Sequence, residues 1–549
     1  MNLIISLLFI GFLKGSNHDE SQSIKDSYKL LLNATERIHV TPHITNLIRN
    51  GQDLLDYYQP HELKELGLKI IGEDIIPIDP TDLNEFYDSE NFRIYYTTQG
   101  DSAVENLNYV QNMANIFENV YLFFIDTLGY QPPINDPSVS HNRYEIYVEK
   151  LPPYYFGVTY TKNVDVQTPS CASFIKMRNN YSGSQFDEHT EIENIQVTAV
   201  HEFFHAIQFS YNCYEKIWLM EATAVWSEDE LYNDINDLYR YMPSWFANNH
   251  KSINDESNHM YGSFIYFQYI DEHLGGPETI RLCWEKSHEM ASPIQDNSID
   301  AVDAALYDNG SSFEQAYLRM RIANKIMNSN AGIYSYQEAD GYLSAGCQLN
   351  EENIFYQKNN TLTEEYKGLD RYESKYYNII SDSPIELEII PNHEKLSMTS
   401  VIKIKNQQQW SIKTDNIINF DPELNIDWIS IIISALDYNG SNWDYVLNFS
   451  DGYSEDFTVF HPYPNPSFGA PVTMDIQVIN SQTISTKIVN ILGKEIWRST
   501  SHYSEPGYTK LIWNGKNNYG AKVSNGLYIV ETKGANKNMK YKIVIIKNN

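Results

Sequence analysis

The sequence is poor in basic residues and, beyond its first few positions, has no long apolar run. Its 549 residues include 40 lysines and arginines against 72 aspartates and glutamates, a formal net charge of −32. Such a surface repels nucleic acid and anionic membranes, and it fits an extracellular protein or one that handles cationic partners. Aromatic residues make up 13% of the chain, which favours well-packed domains over disorder. Because of the negative net charge, we expect no nucleic-acid partner.

Cysteine is scarce as well, with Cys171, Cys213, Cys283 and Cys347 as the complete set. None of them has the spacing of a zinc site, and a secreted chain could join them in up to two disulfides with three possible connectivities. The pairing of Cys171 with Cys213 is favoured, because the two flank the helical segment 192–209. Cys283 lies in a helical pattern, which indicates a buried free thiol.

The one apolar run near a terminus, residues 3–13, is too short to span a bilayer. It predicts a signal peptide at residues 1–16 with cleavage near Ser16, although Lys14 follows the run and no basic residue precedes it. A buried N-terminal helix is the alternative. No other stretch is long enough for a transmembrane span in the mature chain.

The chemistry concentrates in one motif, His201-Glu202-Phe203-Phe204-His205. Thr190 and Glu193 form a predicted capping box, and residues 195–207 are apolar nearly all round, so the segment predicts a buried helix. On a helix, His201 and His205 share one face and can bind one Zn²⁺ through nitrogen at roughly 2.1 Å. Glu202 is then placed to take a proton from a zinc-bound water.

A catalytic zinc usually takes three protein ligands, and Glu221 is the predicted third. It follows His205 by sixteen positions, enough for a turn and an antiparallel helix over residues 218–231. Apolar neighbours surround Glu221, which argues against a solvated carboxylate. Glu228 and Glu230 lie in a more polar stretch and are expected to be solvated.

These motifs resemble the gluzincin metallopeptidases, and most closely the aminopeptidase-N-like enzymes, whose second motif reads Trp-Leu-Asn-Glu-Gly. Here the second motif is Trp218-Leu219-Met220-Glu221-Ala222, so the residues flanking the third ligand differ. Residues 91–345 also resemble a group of secreted bacterial proteins regarded as metallopeptidases, with their Phe-Arg-Ile-x-Tyr strand at residues 92–96. The resemblance implies that His201, His205 and Glu221 bind one Zn²⁺ and that Glu202 is the base.

In the same enzymes a tyrosine near the start of a third helix hydrogen-bonds the developing oxyanion. The helix predicted from about Tyr261 to His273 resembles that helix, but the register leaves both His259 and Tyr261 as candidates. For each, packing or capping at the helix start is an equally good interpretation. The departure at Met220 and Ala222 argues against an aminopeptidase type of substrate binding, though not against the metal site.

The regions on either side carry less chemistry. Residues 17–90 have short helical pieces at 30–38 and 62–67, and they are either a propeptide or an extension packed on the catalytic domain. Residues 348–370 are polar and acidic, as in a linker, and short alternating runs over 372–455 predict a β-sandwich. A packing or substrate-docking role is expected for that sandwich.

The last stretch, residues 458–549, predicts another β-domain. Its fragments Asn465-Pro466, Leu492-Gly493-Lys494, Trp513-Asn514-Gly515 and Ser524-Asn525-Gly526-Leu527-Tyr528 resemble the C-terminal sorting domain of type IX secretion. That domain is an immunoglobulin-like sandwich in Bacteroidota and related bacteria. The resemblance implies the type IX secretion machinery as a partner and a secreted or outer-membrane-attached location, whereas an ordinary terminal β-sandwich is the alternative.

Taken together, the sequence predicts an α+β multidomain protein with a gluzincin-like metallopeptidase domain followed by two all-β sandwich domains. The predicted boundaries are a signal peptide at 1–16, an extension or propeptide at 17–90, the peptidase at 91–347, and β-domains at 348–457 and 458–549. The expected function is zinc-dependent hydrolysis of a protein or peptide substrate. A non-catalytic adhesin or glycan-binding protein that retains a metal site is the alternative, and a metal-dependent hydrolase of non-peptide bonds is a third possibility.

Overall fold

The computed structural model describes residues 21–35, 38–80, 82–162, 168–405, 410–421, 426–438, 440–452, 457–505, 507–535 and 537–546. The signal peptide predicted at residues 1–16 lies outside the described residues. The chain forms two compact units, one within Met1–Tyr241 and Glu256–Phe313 and one within Met242–Asp255 and Glu314–Asn549. Among the described residues, no helix is long and apolar enough to cross a membrane.

The first unit is built around a five-stranded mixed sheet in the order β3-β4-β5-β7-β6. Its strands are β3 (Glu85–Asp88), β4 (Phe92–Tyr96), β5 (Tyr144–Glu149), β6 (Gly157–Lys162) and β7 (Ala172–Arg178). The pairs β4-β5 and β5-β7 are parallel, whereas β6 pairs antiparallel with β7 and forms one edge of the sheet. Strands β5, β6 and β7 are buried along almost their whole length, so both faces of the sheet are covered.

The helices of the first unit flank this sheet. They are α1 (residues 21–32), α2 (Thr41–Asn50), α3 (Pro60–Glu65), α4 (Leu107–Tyr121), α5 (Glu191–Tyr211), α6 (Ile217–Tyr232), α8 (His259–Gly262), α9 (Phe264–His273), α10 (Pro277–Glu289) and α11 (Ser298–Asp308). Helix α5 packs on β6 and β7, and α4 packs on β4. Helix α4 continues as π-helical turns through Leu122–Thr127.

The N-terminal segment, residues 21–80, packs on β5, β6 and β7. Besides α1 to α3 it contains the short antiparallel pair β1 (Leu68–Ile71) and β2 (Asp74–Pro77). Apolar side chains of the segment share one core with side chains of β5, β6 and β7, and the members include Ile24, Tyr28, Val40, Ile44, Leu47, Tyr147, Val158, Tyr160 and Phe174. The helical piece predicted at residues 30–38 is wrong in position, because α1 ends at residue 32 and Ile38 forms an isolated β-bridge with Tyr155.

Helices α5 and α6 form a buried hairpin. The predicted helix over residues 192–209 is confirmed, and the capping box is present, with Thr190 and Glu193 exchanging hydrogen bonds. Every residue of α5 from Val197 to Tyr211 is buried, as is α6 from Trp218 to Asp229. Helices buried all round pack against neighbours on several sides, so polar groups on them need partners within the protein.

The second unit contains two β-sandwich-like regions, each made of two sheets. It also contains helices α7 (Met242–Ala247), α12 (Phe313–Ile326, with all but its first residue in this unit) and α13 (Ala339–Ser344). The first of these regions consists of two sheets, ordered β13-β12-β15-β10-β8 and β14-β11-β16-β9, which share an apolar core. Its strands are β8 (Glu351–Phe355), β9 (Leu362–Leu369), β10 (Ser374–Ile380), β11 (Ile385–Pro391), β12 (Leu396–Ile404), β13 (Trp410–Thr414), β14 (Ile417–Phe420), β15 (Ile426–Ala435) and β16 (Trp443–Asp451).

The expectation of a linker at residues 348–370 is wrong, because β8 and β9 occupy most of that stretch. Each is an edge strand that pairs with one neighbour, β8 with β10 and β9 with β16. Most side chains of both strands are exposed or half-buried. A strand with so little apolar surface lacks the alternating pattern by which strands are found in a sequence.

The C-terminal region contains a second pair of sheets, ordered β17-β18-β21 and β20-β19-β22-β23, around its own core. The strands are β17 (Phe457–Val459), β18 (Val472–Val478), β19 (Gln482–Asn490), β20 (Glu495–Tyr503), β21 (Gly507–Trp513), β22 (Gly526–Lys533) and β23 (Asn538–Ile545). The predicted fold class is thus confirmed at the level of an α+β multidomain protein with sandwich-like β regions.

Candidate metal centre

The three predicted metal ligands meet at one buried point between α5 and α6. His205 Nε2 lies 3.0 Å from His201 Nε2 and 3.0 Å from Glu221 Oε1, and His201 Nε2 lies 3.6 Å from Glu221 Oε2. Four donors arranged tetrahedrally around a zinc ion at about 2.0–2.2 Å stand about 3.3–3.6 Å apart. One of the three distances falls in this range and two are slightly shorter, so the side chains lie close to the spacing that a shared ion requires.

A further histidine, His39, completes the group from the N-terminal segment. Its Nδ1 lies 2.7 Å from His201 Nε2 and 3.9 Å from Glu221 Oε2, and its side chain is buried. Among the described residues, His39, His201 and Glu221 form a cluster whose ligand atoms lie within 4.8 Å of one another. Sequence reasoning missed His39, because a lone histidine 162 positions before the motif carries no spacing signal.

Both carboxylate oxygens of Glu221 are buried and accept no well-directed hydrogen bond, although imidazole nitrogens lie beside them. Buried polar atoms are nearly always satisfied, so this carboxylate calls for an explanation. Three imidazole nitrogens and a carboxylate oxygen are the donor types that Zn²⁺ prefers. The residues present thus fit a zinc ion.

The other ring nitrogen of each histidine is held by an oxygen. His201 Nδ1 lies 2.7 Å from Glu228 Oε1, His205 Nδ1 lies 2.7 Å from Gln208 Oε1, and His39 Nε2 contacts the hydroxyl of Tyr241. Such contacts fix which nitrogen faces a metal and how the ring is turned. All three rings are therefore oriented with one nitrogen toward the common centre.

The expectation that Glu228 and Glu230 are solvated is wrong. Glu228 is fully buried, because it lies two helical turns after Glu221 on the face of α6 that meets α5. Glu230 is half-buried, and burial together with the neighbouring Asp271 raises its pKa to about 8. The seven-residue spacing from Glu221 to Glu228 could have indicated that Glu228 lies on the same buried helix face.

Opposing charges govern the ionisation of the centre. Burial alone would raise the pKa of Glu221, but the positive charges of the adjacent His205 and His201 imidazoles outweigh burial and lower the pKa to about 2. Burial would likewise lower the pKa of His201, but Glu221 and Glu228 raise it to about 10. These shifts favour an ionised Glu221 carboxylate beside a protonated His201.

The predicted base, Glu202, is held by two threonine hydroxyls. Its Oε2 accepts a hydrogen bond from Thr41 Oγ1 at 2.7 Å and lies 2.7 Å from Thr159 Oγ1 on the edge strand β6. A Cβ on Gly157 would stand 2.8 Å from Glu202 Cγ. Only glycine at that position lets α5 and β6 approach this closely.

Of the two residues left open for the oxyanion, the structure places Tyr261 beside the cluster. Its ring centroid lies 4.8 Å from that of His39 and 5.2 Å from that of Tyr241. Burial, followed by the charge of Glu221, raises the pKa of Tyr261 well above its usual value. His259 is buried at the start of α8, two positions before Tyr261, so its side chain points to another side of the helix.

A disulfide closes the far end of α5. Cys171 and Cys213 are joined, as favoured from the sequence, and their main-chain N–H groups donate to Phe209 O and Pro169 O respectively. Cys283 is a buried free thiol, as predicted, and Cys347 is also free and buried. The bridge fastens the end of the helix that carries both histidines to the start of β7.

Comparison with known proteins gives a match without a function. Residues 56–298 match the model of a family of unknown function, DUF6055, so the matched stretch includes His201, Glu202, His205 and Glu221 and begins after His39. No curated protein matches the chain.

Solved structures resemble only parts of the chain. PorZ of Porphyromonas gingivalis, described as an essential bacterial surface component of the type-IX secretion system, is 20% identical over 18% of this chain and 14% of its own, with a TM-score of 0.13. Latent PorU of the same organism is 12% identical over 29% and 16%, with a TM-score of 0.16. A Parabacteroides merdae β-glucuronidase is 7% identical over 30% and 26%, with a TM-score of 0.15. The chain thus spans about a quarter or less of each of these proteins.

Proposed function

We propose that the first unit is a zinc-dependent peptidase that cleaves peptide bonds with an activated water molecule. The observation that carries the proposal is the convergence of His201, His205 and Glu221, with both oxygens of the buried carboxylate left without a directed hydrogen bond. A chance motif in a core helix would not bring a third donor from another helix to the same point.

The surrounding residues suit hydrolysis. Zinc bound there would polarise the scissile carbonyl and lower the pKa of a water molecule to about 7. Glu202 Oε2 already faces two hydroxyls, which leaves Oε1 to accept a proton from the attacking water and return it to the leaving amine. Tyr261 stays protonated at neutral pH, so its hydroxyl can donate to a developing oxyanion.

Metal content tests the proposal first. The purified full chain is expected to hold about one zinc ion, and Glu221→Gln should lose most of it while keeping its fold, because the side-chain volume is unchanged. Glu230→Gln on the same helix is the matched control and should hold zinc like the parent. Zinc retained equally by Glu221→Gln would exclude Glu221 as a ligand.

Digestion of a peptide library by the purified protein, read by mass spectrometry, then defines the substrate. Cleavage products would also show the preferred side chains and whether cleavage is internal or terminal. A zinc-loaded chain that cleaves no peptide, even after proteolytic removal of the N-terminal segment before β3, would contradict the peptidase assignment and favour a hydrolase of other bonds or a binding protein.

A second candidate function, a non-catalytic surface protein with a closed metal site, has one observation in its favour. His39 brings the number of protein donors to four, and structural zinc sites are typically four-coordinate with protein ligands only. The adhesin or glycan-binding interpretation would then place the function in the β regions. Replacement of His39, with zinc content as the measurement, separates the two candidates.

We further propose that residues 458–549 direct export by type IX secretion. The support is the set of sorting-like fragments and the sandwich-like arrangement of β17 to β23. Removal of these residues should leave metal binding intact and abolish surface delivery in the native host. Normal delivery of the shortened chain would overturn this assignment and leave the peptidase proposal untouched.

A further inference from the structure

Residues 38–41 lie against the candidate centre, with His39 beside His201 and Thr41 beside Glu202. We propose that this segment, called the plug below, is an internal inhibitor that keeps the site closed until the N-terminal residues 21–80 are displaced. The proposal rests on the peptidase function proposed above, and it assigns to the N-terminal segment a role in regulation.

His39 lies where a catalytic zinc site would need an open position. A catalytic zinc site keeps one position open for water and substrate, with the remaining positions filled by three protein ligands. Here His201, His205 and Glu221 are the three, and His39 Nδ1 lies 2.7 Å from His201 Nε2 in the same cluster. An imidazole at that point occupies the place where a water molecule would have to bind.

Thr41 of the plug contacts Glu202, the proposed base. Thr41 Oγ1 donates to Glu202 Oε2 at 2.7 Å and accepts a hydrogen bond from the main-chain N–H of Thr159 at 2.8 Å. One short segment therefore contacts both the metal ligands and the base.

The plug also covers the free edge of strand β6. Strand β6 has β7 on one side only, so its other side presents unpaired main-chain groups. The N–H of Thr159 on that side is bound by Thr41, and Ile38 forms a parallel bridge with Tyr155 just before β6 begins. An extended peptide that adds to a free edge would need this same position.

The attachment of the plug favours removal by cleavage over spontaneous opening. Tyr155 donates to Leu31 O at 2.9 Å and Tyr160 donates to Leu66 O at 2.8 Å, and the segment shares an apolar core with the sheet. By contrast, Asp82 and Asn84, which connect the segment to the sheet, are exposed. Exposed polar connections are the usual sites of proteolysis.

The test uses the full chain, with His39→Ala as the variant and His43→Ala as the matched control. His43 is a second buried histidine of the same segment, and its Nδ1 contacts Ser27 Oγ at 3.2 Å. Three quantities are measured for each protein: zinc content, the visible absorption of the cobalt-substituted form, and the affinity for a peptide hydroxamate. A hydroxamate chelates the metal and needs the position that His39 occupies.

If the plug inhibits, His39→Ala keeps its zinc and changes its cobalt spectrum. Its affinity for the hydroxamate should rise by at least about tenfold, because the apparent affinity of a ligand is its intrinsic affinity multiplied by the fraction of molecules that are open to it. His43→Ala should behave like the parent in all three measurements. If His39→Ala does not fold, His39→Leu, which keeps more of the volume and removes the donor, is compared with His43→Leu.

Three outcomes would overturn the inference, and they differ in what they leave standing. Equal hydroxamate affinity and equal cobalt spectra in parent and variant would show that His39 does not block the metal, with the peptidase proposal intact. Loss of zinc from His39→Ala would make His39 an integral ligand of a closed structural site. A parent chain that holds no zinc would refute both the inference and the proposed function.

Discussion

His201 Nδ1 lies 2.7 Å from Glu228 Oε1, and both side chains are buried between α5 and α6. The carboxylate thus orients the imidazole so that Nε2 faces His205, Glu221 and His39. Because such second partners raise the basicity of a histidine that binds a metal, Glu228 would support the proposed centre through His201.

The first prediction concerns this pair. Glu228→Gln should lower zinc affinity by about 10–100-fold, since the neutral amide orients the ring less firmly and polarises it less. Affinity is measured by competition with a chelator, with Glu230→Gln as the control on the same helix. Unchanged affinity in Glu228→Gln would mean that the contact with His201 only fills space.

A second prediction tests the base in a chain opened by His39→Ala. Adding Glu202→Gln should reduce peptide hydrolysis by about 10²–10⁴-fold, the usual contribution of a general base, with zinc content and melting temperature kept. Both variants are assayed on one cleavable peptide from the library. Hydrolysis at the rate of the His39→Ala parent would place the chemistry at another site.

The close approach of α5 and β6 yields a third prediction. Gly157→Ala adds a Cβ that would stand 2.7 Å from Thr198 Cγ2 and 2.8 Å from Glu202 Cγ, so it should cost about 1–3 kcal/mol of unfolding free energy. Urea denaturation measures the cost. In Gly507→Ala, the control, the added Cβ meets no atom within 4 Å. Equal stability of the two variants would refute the tight contact.

The fourth prediction is a pH dependence that originates at Glu230. Burial and the neighbouring Asp271 raise its pKa to about 8, so between about pH 4.5 and 8 the folded chain binds more protons than the unfolded chain. Stability therefore falls as pH rises through this window. Glu230→Gln should remove part of the slope and stabilise the protein at pH 8 by on the order of 1–2 kcal/mol, after allowance for partial exposure.

Melting curves of the parent and of Glu230→Gln at several pH values check this expectation. Glu285→Gln, a change at a carboxylate on α10 that remains partly exposed, is the control and should keep the slope of the parent. Parallel curves for the parent and Glu230→Gln would count against the assignment.

The fifth prediction concerns the bridge at the end of α5. Replacing Cys171 and Cys213 together by serine should lower the unfolding free energy by about 2–4 kcal/mol, because the bridge closes a loop of 42 residues in the unfolded chain. The comparison is made by urea denaturation against Cys347→Ser, which removes a thiol without opening a bridge. A loss no larger than that of the control would contradict a stabilising role.

The sequence is sufficient where the signal is local. The motif at residues 201–205, its capping box and the third donor sixteen positions later all follow from helix geometry, and α5 and α6 lie within a few residues of their predicted bounds. The Cys171–Cys213 pair could be favoured for the same reason, since both residues flank one helix.

It is insufficient where a contact joins distant segments or where solvent removes the pattern. His39 and Tyr241 reach the centre only through tertiary packing, and no spacing in the chain relates either to His201. Polar neighbours concealed the buried position of Glu228. Strands β8 and β9 were missed because edge strands with exposed side chains look like a linker.

The distance along the chain between His39 and the other donors has a consequence for the order of assembly. Three donors lie within residues 201–221 on one helical hairpin, whereas His39 must arrive from 162 positions away. Local hairpins form faster than contacts that close long loops. If the protein binds zinc as proposed, the hairpin would capture the ion first, and the N-terminal segment that carries His39 would enclose it afterwards.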